Sequence, residues 1–206
     1  QTDKIDFSKI PLKAKQQYHR SFLNLNKKTK LTHQYERTKC RENYLAYLNS
    51  SDNMYSNCYL YEIVKRIVKD KLWDKPHDDL ERTVVNKIWN SRKIHINRME
   101  NIALVDMSCS MNGTPLFNAI ALGIFIAEQN TGEFHNKLMI FGNKPYWITF
   151  DEDMDICDKV GYIINNKNNI NSDLYSVFDR LIQVVTSNHM HKDKLKPITV
   201  TVLSEI

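Results

Sequence analysis

The chain has 206 residues, of which 42% are hydrophobic, so it is long enough to form one large or two small domains with a packed core. It contains no run of about 18 apolar residues and its first residues are polar, so we expect neither a transmembrane helix nor a signal peptide. The four cysteines lack the C-x-x-C spacing of zinc sites, and such scattered cysteines favour an intracellular location, cytoplasmic or nuclear.

The net charge of +5 is distributed unevenly along the chain. Residues 1–100 carry 21 Lys and Arg against 12 Asp and Glu, whereas residues 101–206 carry 8 against 12. This asymmetry indicates two physically different parts and favours an anionic partner for the first. We therefore expect a basic helical module at 1–98 and an acidic α/β domain at 99–206. Because the chain lacks an initiator Met and ends within a strand-like run, we expect a fragment of a longer polypeptide, truncated at its C-terminus.

Apolar residues recur at helical spacing through the first part of the chain. The predicted helices cover residues 13–26, 32–48, 60–72 and 79–89. Polar loops such as Asn49–Asn53 separate them. The tyrosines of this part are predicted to pack between helices and not to form a surface for stacking bases; they are Tyr44, Tyr47, Tyr55, Tyr59 and Tyr61.

Strand and helix patterns alternate after residue 100. Strands are predicted at 101–106, 137–142, 145–150 and 197–204, and helices at 115–129, 153–165 and 173–187. This alternation predicts an α/β fold with a mainly parallel sheet flanked by helices. Lys144 and Pro145 are expected in the turn of an antiparallel hairpin at the sheet edge.

The most informative motif follows the first predicted strand and reads Asp106-Met107-Ser108-Cys109-Ser110-Met111. One carboxylate and two hydroxyls at alternate positions provide oxygen ligands for a hard cation such as Mg²⁺. The carboxyl end of a parallel strand is also where open α/β sheets bind ligands. The alternative is that Asp106, Ser108 and Ser110 cap the helix that follows.

This motif and its surroundings resemble the metal-ion-dependent adhesion site of a von Willebrand factor A (vWA) domain, a Rossmann-type fold. The downstream segments Leu138–Gly142, Asn171–Leu174 and Ile198–Glu205 resemble its next strand, its second metal loop and the strand that delivers its last acidic group. Together with Asp6–Pro11 and Leu60–Val64, they resemble a vWA family of plants, fungi and large DNA viruses that is related to the TROVE/Ro ribonucleoproteins.

The resemblance implies a set of metal ligands for Mg²⁺ or Mn²⁺, namely Asp106, Ser108, Ser110, Ser172 and Glu205. Glu205 stands where the family has Asp, and Ser204 is the fallback ligand through water. Asp173 either supports the metal from a distance or caps the helix predicted at 173–187. The resemblance also implies that an acidic group of a protein partner completes the metal coordination.

A basic segment in the first part favours nucleic acid as a partner. Cations neutralise phosphates, and the aromatic residues among them, Tyr18, Phe22 and Tyr35, would stack unpaired bases. The alternative is a solvated helical face with its aromatics in the core. The candidate RNA-binding residues are Lys13, Lys15, Arg20, Lys27, Lys28, Lys30, Arg37, Lys39 and Arg41.

We therefore expect a non-enzymatic protein that binds single-stranded or structured RNA through its helices and a partner through a metal site. The alternative is an interaction scaffold without nucleic-acid binding, including a component of a viral particle, in which case its location would be the virion. A phosphate-ester hydrolase would need a second acidic cluster near Asp106, and the acids at 151–158 look instead like the start of a helix. His189 and His191 are interpreted as solvated loop residues.

Overall fold

The computed structural model describes residues 5–25, 35–50, 58–91, 101–141, 145–166, 178–179, 182–183 and 198–205. The chain forms two compact units, the first of residues 1–58 and 90–92, and the second of residues 59–89 and 93–206. The helices predicted at 13–26 and 32–48 are α1 (Leu12–Phe22) and α2 (Tyr35–Ser50) of the first unit. Helix α1 ends earlier than predicted because Asn24 takes a left-handed conformation, with φ 58°.

Aromatic rings form the core of the first unit. Phe7 lies in a short 3-10 helix (Phe7–Lys9) and contacts the rings of Phe22, Tyr44 and Tyr47 at centroid distances of 4.9 to 5.7 Å. Tyr44 is fully buried, and its hydroxyl lies 3.2 Å from Nδ1 of the buried His19. The predicted packing role of Tyr44 and Tyr47 is thereby confirmed, whereas Tyr55 lies outside the described residues.

Helices α3 (Leu60–Asp70) and α4 (Leu80–Asn90) follow, with a 3-10 helix (Leu72–Asp74) between them. The buried residues of α3, which include Val64 and Ile67, pack on the helix that follows the first strand. Helix α3 therefore belongs to the second unit. The domain boundary predicted between residues 98 and 99 assigns it instead to the helical module.

The second unit is built on a sheet of four described strands: β1 (Asn101–Asp106), β2 (Lys137–Phe141), β3 (Tyr146–Thr149) and β4 (Thr199–Leu203). Their order is β3-β2-β1-β4, with β1 parallel to both neighbours and β3 antiparallel to β2. Helices α5 (Thr114–Gln129) and α6 (Ile156–Asn165) belong to the same unit. The predicted α/β class and the antiparallel pairing at the sheet edge are confirmed, whereas Lys144 of the predicted turn lies outside the described residues.

Two glycines allow close packing in this unit. A Cβ at Gly123 of α5 would lie 2.5 Å from Cγ2 of Val105, so α5 approaches β1 closely. A Cβ at Gly161 of α6 would lie 2.6 Å from the Cβ of Trp73. Strand side chains alternate between the faces of a sheet, so Ile102 and Leu104 face away from α5, where they form an apolar cluster with residues that include Met139. Among the helices in the described ranges, none combines the length and hydropathy that a bilayer crossing requires.

Candidate metal centre at the end of β1

The loop between β1 and α5 is organised around its first carboxylate. Asp106 is the last residue of β1 and only 3% exposed, and its Oδ1 accepts a hydrogen bond of 2.8 Å from the N–H of Ser108. A carboxylate that binds the backbone two residues ahead stabilises a turn. The chain turns again as the N–H of Met111 donates to the carbonyl of Ser108 over 3.2 Å.

The two hydroxyls of the motif face each other. Oγ of Ser108 and Oγ of Ser110 are 3.0 Å apart, and both side chains reach solvent, Ser110 more than Ser108. Adjacent ligands of an octahedral Mg²⁺ with metal–oxygen bonds of 2.0–2.1 Å are separated by about 3 Å. The spacing of the pair is that of an ordinary hydrogen bond between the two hydroxyls, and it also suits two neighbouring ligand positions of such an ion.

Strand β4 delivers a third hydroxyl to the same place. Because β4 is parallel to β1 with Leu203 paired with Val105, the residue after β4 arrives beside Asp106. Oγ of Ser204 donates a hydrogen bond of 2.6 Å to Oδ2 of Asp106. Both carboxylate oxygens thus accept hydrogen bonds that hold the group in one orientation.

The helix-capping alternative for the motif stays a prediction, although none of its three residues is the N-cap of α5. Helix α5 begins at Thr114, and its N-cap is Gly113, which makes no side-chain capping bond. Gly113 has φ 95°, a conformation that costs a residue with a Cβ free energy, so a glycine fits this turn. Among the described contacts, the Asp106 carboxylate accepts from the Ser108 N–H and the Ser204 hydroxyl, and the hydroxyls of Ser108 and Ser110 are paired with each other.

The described donors fit a hard cation. One carboxylate and three hydroxyls are oxygen ligands of the kind that Mg²⁺ and Mn²⁺ prefer, whereas a soft thiol is not. Cys109 lies between the two serines and is exposed, and it is a free thiol. If Mg²⁺ were bound, Asp106, Ser108, Ser110 and Ser204 are the described residues placed to hold it directly or through water.

The remaining predicted ligands differ in their placement. Glu205 is exposed, and its described contacts are made by its backbone: its N–H donates to Sδ of Met111 over 3.2 Å, and its carbonyl accepts from Oγ of Ser204 over 3.3 Å. Ser204, the fallback in the sequence analysis, is the residue of this segment that touches Asp106. Ser172, Asp173 and the loop histidines at 189 and 191 lie outside the described residues.

The predicted RNA-binding residues occupy different environments in the first unit. Lys15 is 5% exposed, its Nζ donates to the hydroxyl of Tyr47 and lies 4.8 Å from the centre of that ring, so its charge is directed into the unit.

Arg37 is exposed, and Nζ of Lys39 lies 5.9 Å from the ring of Tyr35. Tyr18 is 50% exposed and Tyr35 75%. Arg20 and Arg41 are half-buried, Lys13 lies in α1, and Lys27, Lys28 and Lys30 are outside the described residues.

A second polar cluster links α4 to α6 within the second unit. Arg82 is 2% exposed, its Nε lies 2.8 Å from Oδ2 of Asp155, and its Nη2 lies 2.6 Å from Oδ1 of Asp158. Asn86 also donates to Asp155, over 2.7 Å. The exposed His77 lies 3.6 Å from Asp155, which gives the cluster the composition of a metal site. The guanidinium already compensates both carboxylates, so the cluster is better explained as an ion-pair network.

The electrostatics of this network agree with that explanation. Burial by itself raises the pKa of Asp155, but hydrogen bonds from Arg82, from the N–H of Asp158 and from Asn86 outweigh it and hold the pKa below its ordinary value of 3.8. Asp155 is also the N-cap of α6 and forms a reciprocal capping box with Asp158. The prediction that these acids begin a helix is confirmed for Asp155 and Asp158, whereas Asp151 and Asp153 precede the helix, which begins at Ile156.

Sequence reasoning missed the pairing of Arg82 with Asp155, because 73 residues separate them and no motif joins them. The D-x-x-D pattern of Asp155 and Asp158 is a signal for the N-cap of α6. It gives no signal for the pairing of Asp155 with Arg82. The sequence predicts Ser204 only as an indirect ligand, through water. Its adjacency to Asp106 depends on the register of β4 against β1.

The fold and the site together define an α/β protein with an oxygen-rich cluster at the carboxyl end of its central strand. Residues 100–206 match the family model described as "Domain of unknown function (DUF7788)", which covers about half of the chain, and the chain belongs to this family.

One relative comes from a giant virus. The chain is 27% identical over 196 residues to "Uncharacterized protein L728" of Acanthamoeba polyphaga mimivirus, in an alignment that covers 89% of this chain and 32% of that protein. The chain thus spans about a third of the length of this relative. No solved structure matches the chain significantly. Neither name mentions a vWA domain, a metal or RNA, so these predictions stay predictions.

Proposed function

We propose that the chain is a non-enzymatic binding protein whose second unit recognises an acidic group of a partner through a divalent cation at the end of β1. The observation that carries the proposal is the 3.0 Å separation of the Ser108 and Ser110 hydroxyls beside the Asp106 carboxylate. That separation matches the edge of a Mg²⁺ octahedron, and both hydroxyls reach solvent.

The donor set favours recognition over catalysis. A single carboxylate and neutral hydroxyls leave a bound cation with net positive charge, which attracts a carboxylate from outside. Two groups hydrogen-bonded to Asp106 are the Ser108 backbone amide and the Ser204 hydroxyl, and neither would act as a general base at neutral pH. The motif's resemblance to the vWA adhesion site, and its place at the carboxyl end of a central parallel strand, support the same function.

Calorimetric titration of the full chain with Mg²⁺ and Mn²⁺ tests the proposal. We expect saturable binding that is lost in Asp106→Asn and weakened at least about tenfold in Ser108→Ala and Ser110→Ala. Thr114→Ala, which removes an exposed hydroxyl from the first turn of α5, is the matched control, and this variant should bind the cation like the wild type. Absence of binding by the wild type, or equal binding by Asp106→Asn with an unchanged melting temperature, would overturn the proposal.

The second candidate function is RNA binding by the first unit, in an intracellular setting. Its specific observation is the exposed ring of Tyr35 with Nζ of Lys39 5.9 Å from its centre, in a unit where Tyr18 and Arg37 are exposed as well, since exposed rings next to cations suit unpaired bases. The competing function is a scaffold that binds only proteins, including a viral particle component, for which the mimivirus relative is the supporting observation. Salt-dependent binding of a labelled oligouridine separates the two, because only phosphate neutralisation produces a steep salt slope.

A further inference from the structure

The outward side of α3 carries aromatic and basic residues in the second unit. We call it the α3 surface and define it by Tyr59, Tyr61, Lys65 and Lys69. Tyr59 immediately precedes the helix and is 68% exposed. Its ring stacks on that of Tyr61, with centroids 5.8 Å apart and planes inclined by 27°. The contact holds Tyr59 while leaving most of its ring in solvent, contrary to the packing role predicted from the sequence.

The lysines lie on the same side of the helix as this pair of rings. Tyr61, Lys65 and Lys69 follow one another at intervals of four residues, so they form a stripe with about 6 Å between successive positions. Lys65 and Lys69 are the exposed positions of α3, a helix described over its whole length. The buried side chains of α3, Ile63, Val64 and Ile67, lie on the opposite side.

The charge that the α3 surface presents to solvent is positive. Lys65 and Lys69 are exposed, whereas the acidic residues of the helix, Glu62 and Asp70, are half-buried, with Glu62 one turn before Lys65 on the same side. Lys71, directly after the helix, is exposed as well. An exposed stacked ring beside several cations is the combination with which proteins bind single strands, because the ring stacks a base and the cations neutralise phosphates.

We propose that the α3 surface binds single-stranded RNA, with Tyr59 stacking a base and Lys65 and Lys69 contacting phosphates. The inference rests on the RNA-binding function proposed above, because it assumes the same kind of ligand. It adds a second RNA-binding surface, which lies in the second unit. Neither a membrane nor an acidic peptide has planar bases to match the exposed ring, so a single strand fits the surface best.

Fluorescence anisotropy of a labelled oligouridine of about 12 nucleotides, titrated with the full chain at several salt concentrations, tests this inference. We expect Tyr59→Ala to weaken binding about fivefold or more, and Tyr59→Phe, which keeps the ring, to retain it. Lys65→Glu/Lys69→Glu should weaken binding and reduce the salt slope by about 1.4, the value for two phosphates on a single strand. Lys87→Glu, which reverses an exposed lysine of α4, is the matched control.

Arg37→Glu/Lys39→Glu in the first unit makes the two proposals distinguishable. If this variant weakens binding while the variants of the α3 surface bind like the wild type, the α3 inference is overturned and RNA binding by the first unit stands. If only the α3 variants weaken binding, the α3 inference stands and the first-unit proposal fails. If the wild type does not bind the oligonucleotide at low salt, both fail. Thermal unfolding of each variant confirms that it folds.

Discussion

The hydroxyl of Ser204 donates a 2.6 Å hydrogen bond to the buried carboxylate of Asp106, across 98 residues of sequence. It joins the end of β4 to the end of β1, where the two parallel strands leave the sheet. The same carboxylate accepts the Ser108 N–H that begins the serine loop. The arrangement of the side chains in the candidate metal centre therefore depends on β4 as much as on the loop itself.

We expect Ser204→Ala to lower the free energy of unfolding by about 1.5–3 kcal/mol, because a hydrogen bond to a buried carboxylate is lost. Urea unfolding followed by circular dichroism measures the change. Ser204→Thr keeps the hydroxyl and should recover most of the loss. Ser110→Ala removes an exposed hydroxyl of the same site and should stay within about 0.5 kcal/mol of the wild type. A Ser204→Ala variant as stable as the wild type would contradict the structural role of this bond.

Arg82→Met is expected to destabilise the second unit by about 3–5 kcal/mol, because it leaves the Asp155 and Asp158 carboxylates without their buried cation. Denaturant unfolding of the variant is the measurement. His77→Ala is the matched control in the same cluster, and it should have little effect because His77 is largely exposed. Equal stabilities of the two variants would mean that Arg82 contributes no more than a surface charge.

Protonation of Asp155 should lower the free energy of unfolding at acidic pH. Its folded pKa is depressed below the ordinary value of 3.8, so its contribution is complete above that value and is lost as the pH falls through the folded pKa. We expect the wild type to lose stability below about pH 4. Asp155→Asn, which preserves a capping side chain, should lose less over the same range. Unfolding curves at pH 3 to 7 provide the comparison, and parallel profiles would exclude Asp155 as a source of the acid sensitivity.

Thiol reactivity should separate Cys109 from the buried cysteines. Burial raises the pKa of the Cys157 thiol to about 12 and also raises that of Cys40, so neither forms the reactive thiolate near neutral pH. Cys109 is exposed between the two serines. A disulfide reagent at pH 8 should modify Cys109 quickly and the others only on unfolding. Cys109→Ser should remove the fast phase, and a fast phase that survives would disprove the assignment.

Gly161→Ala is expected to destabilise the second unit by about 1–3 kcal/mol, since the added Cβ would lie 2.6 Å from Trp73 and force one of the two helical segments to shift. Asn165→Ala, at an exposed position of the same helix, is the control and should change stability by about 0.5 kcal/mol or less. Thermal unfolding gives both values. A fully tolerated Gly161→Ala would show that α6 and Trp73 are not in fixed contact.

Local patterns were sufficient where neighbours in sequence decide the structure. Strand β1 has the predicted bounds, since a continuous apolar run followed by a polar turn already specifies a buried strand. The bounds of α3 and α5 agree with prediction to within two residues, because the spacing of their apolar residues is a local property. The helical expectation for 173–187 is met at the residues described there, 178–179 and 182–183.

The sequence by itself determined the α/β class of the second part and the presence of an oxygen-rich motif after its first strand. Both depend on the order of residues that are close together in the chain. Tertiary structure alone decided that Ser204 meets Asp106, that Arg82 meets Asp155, and that α3 packs on α5 while Tyr59 stays exposed. These relationships depend on strand register and on which helix faces become covered. Both are set by the burial of apolar surface over the whole unit, and no local pattern encodes them.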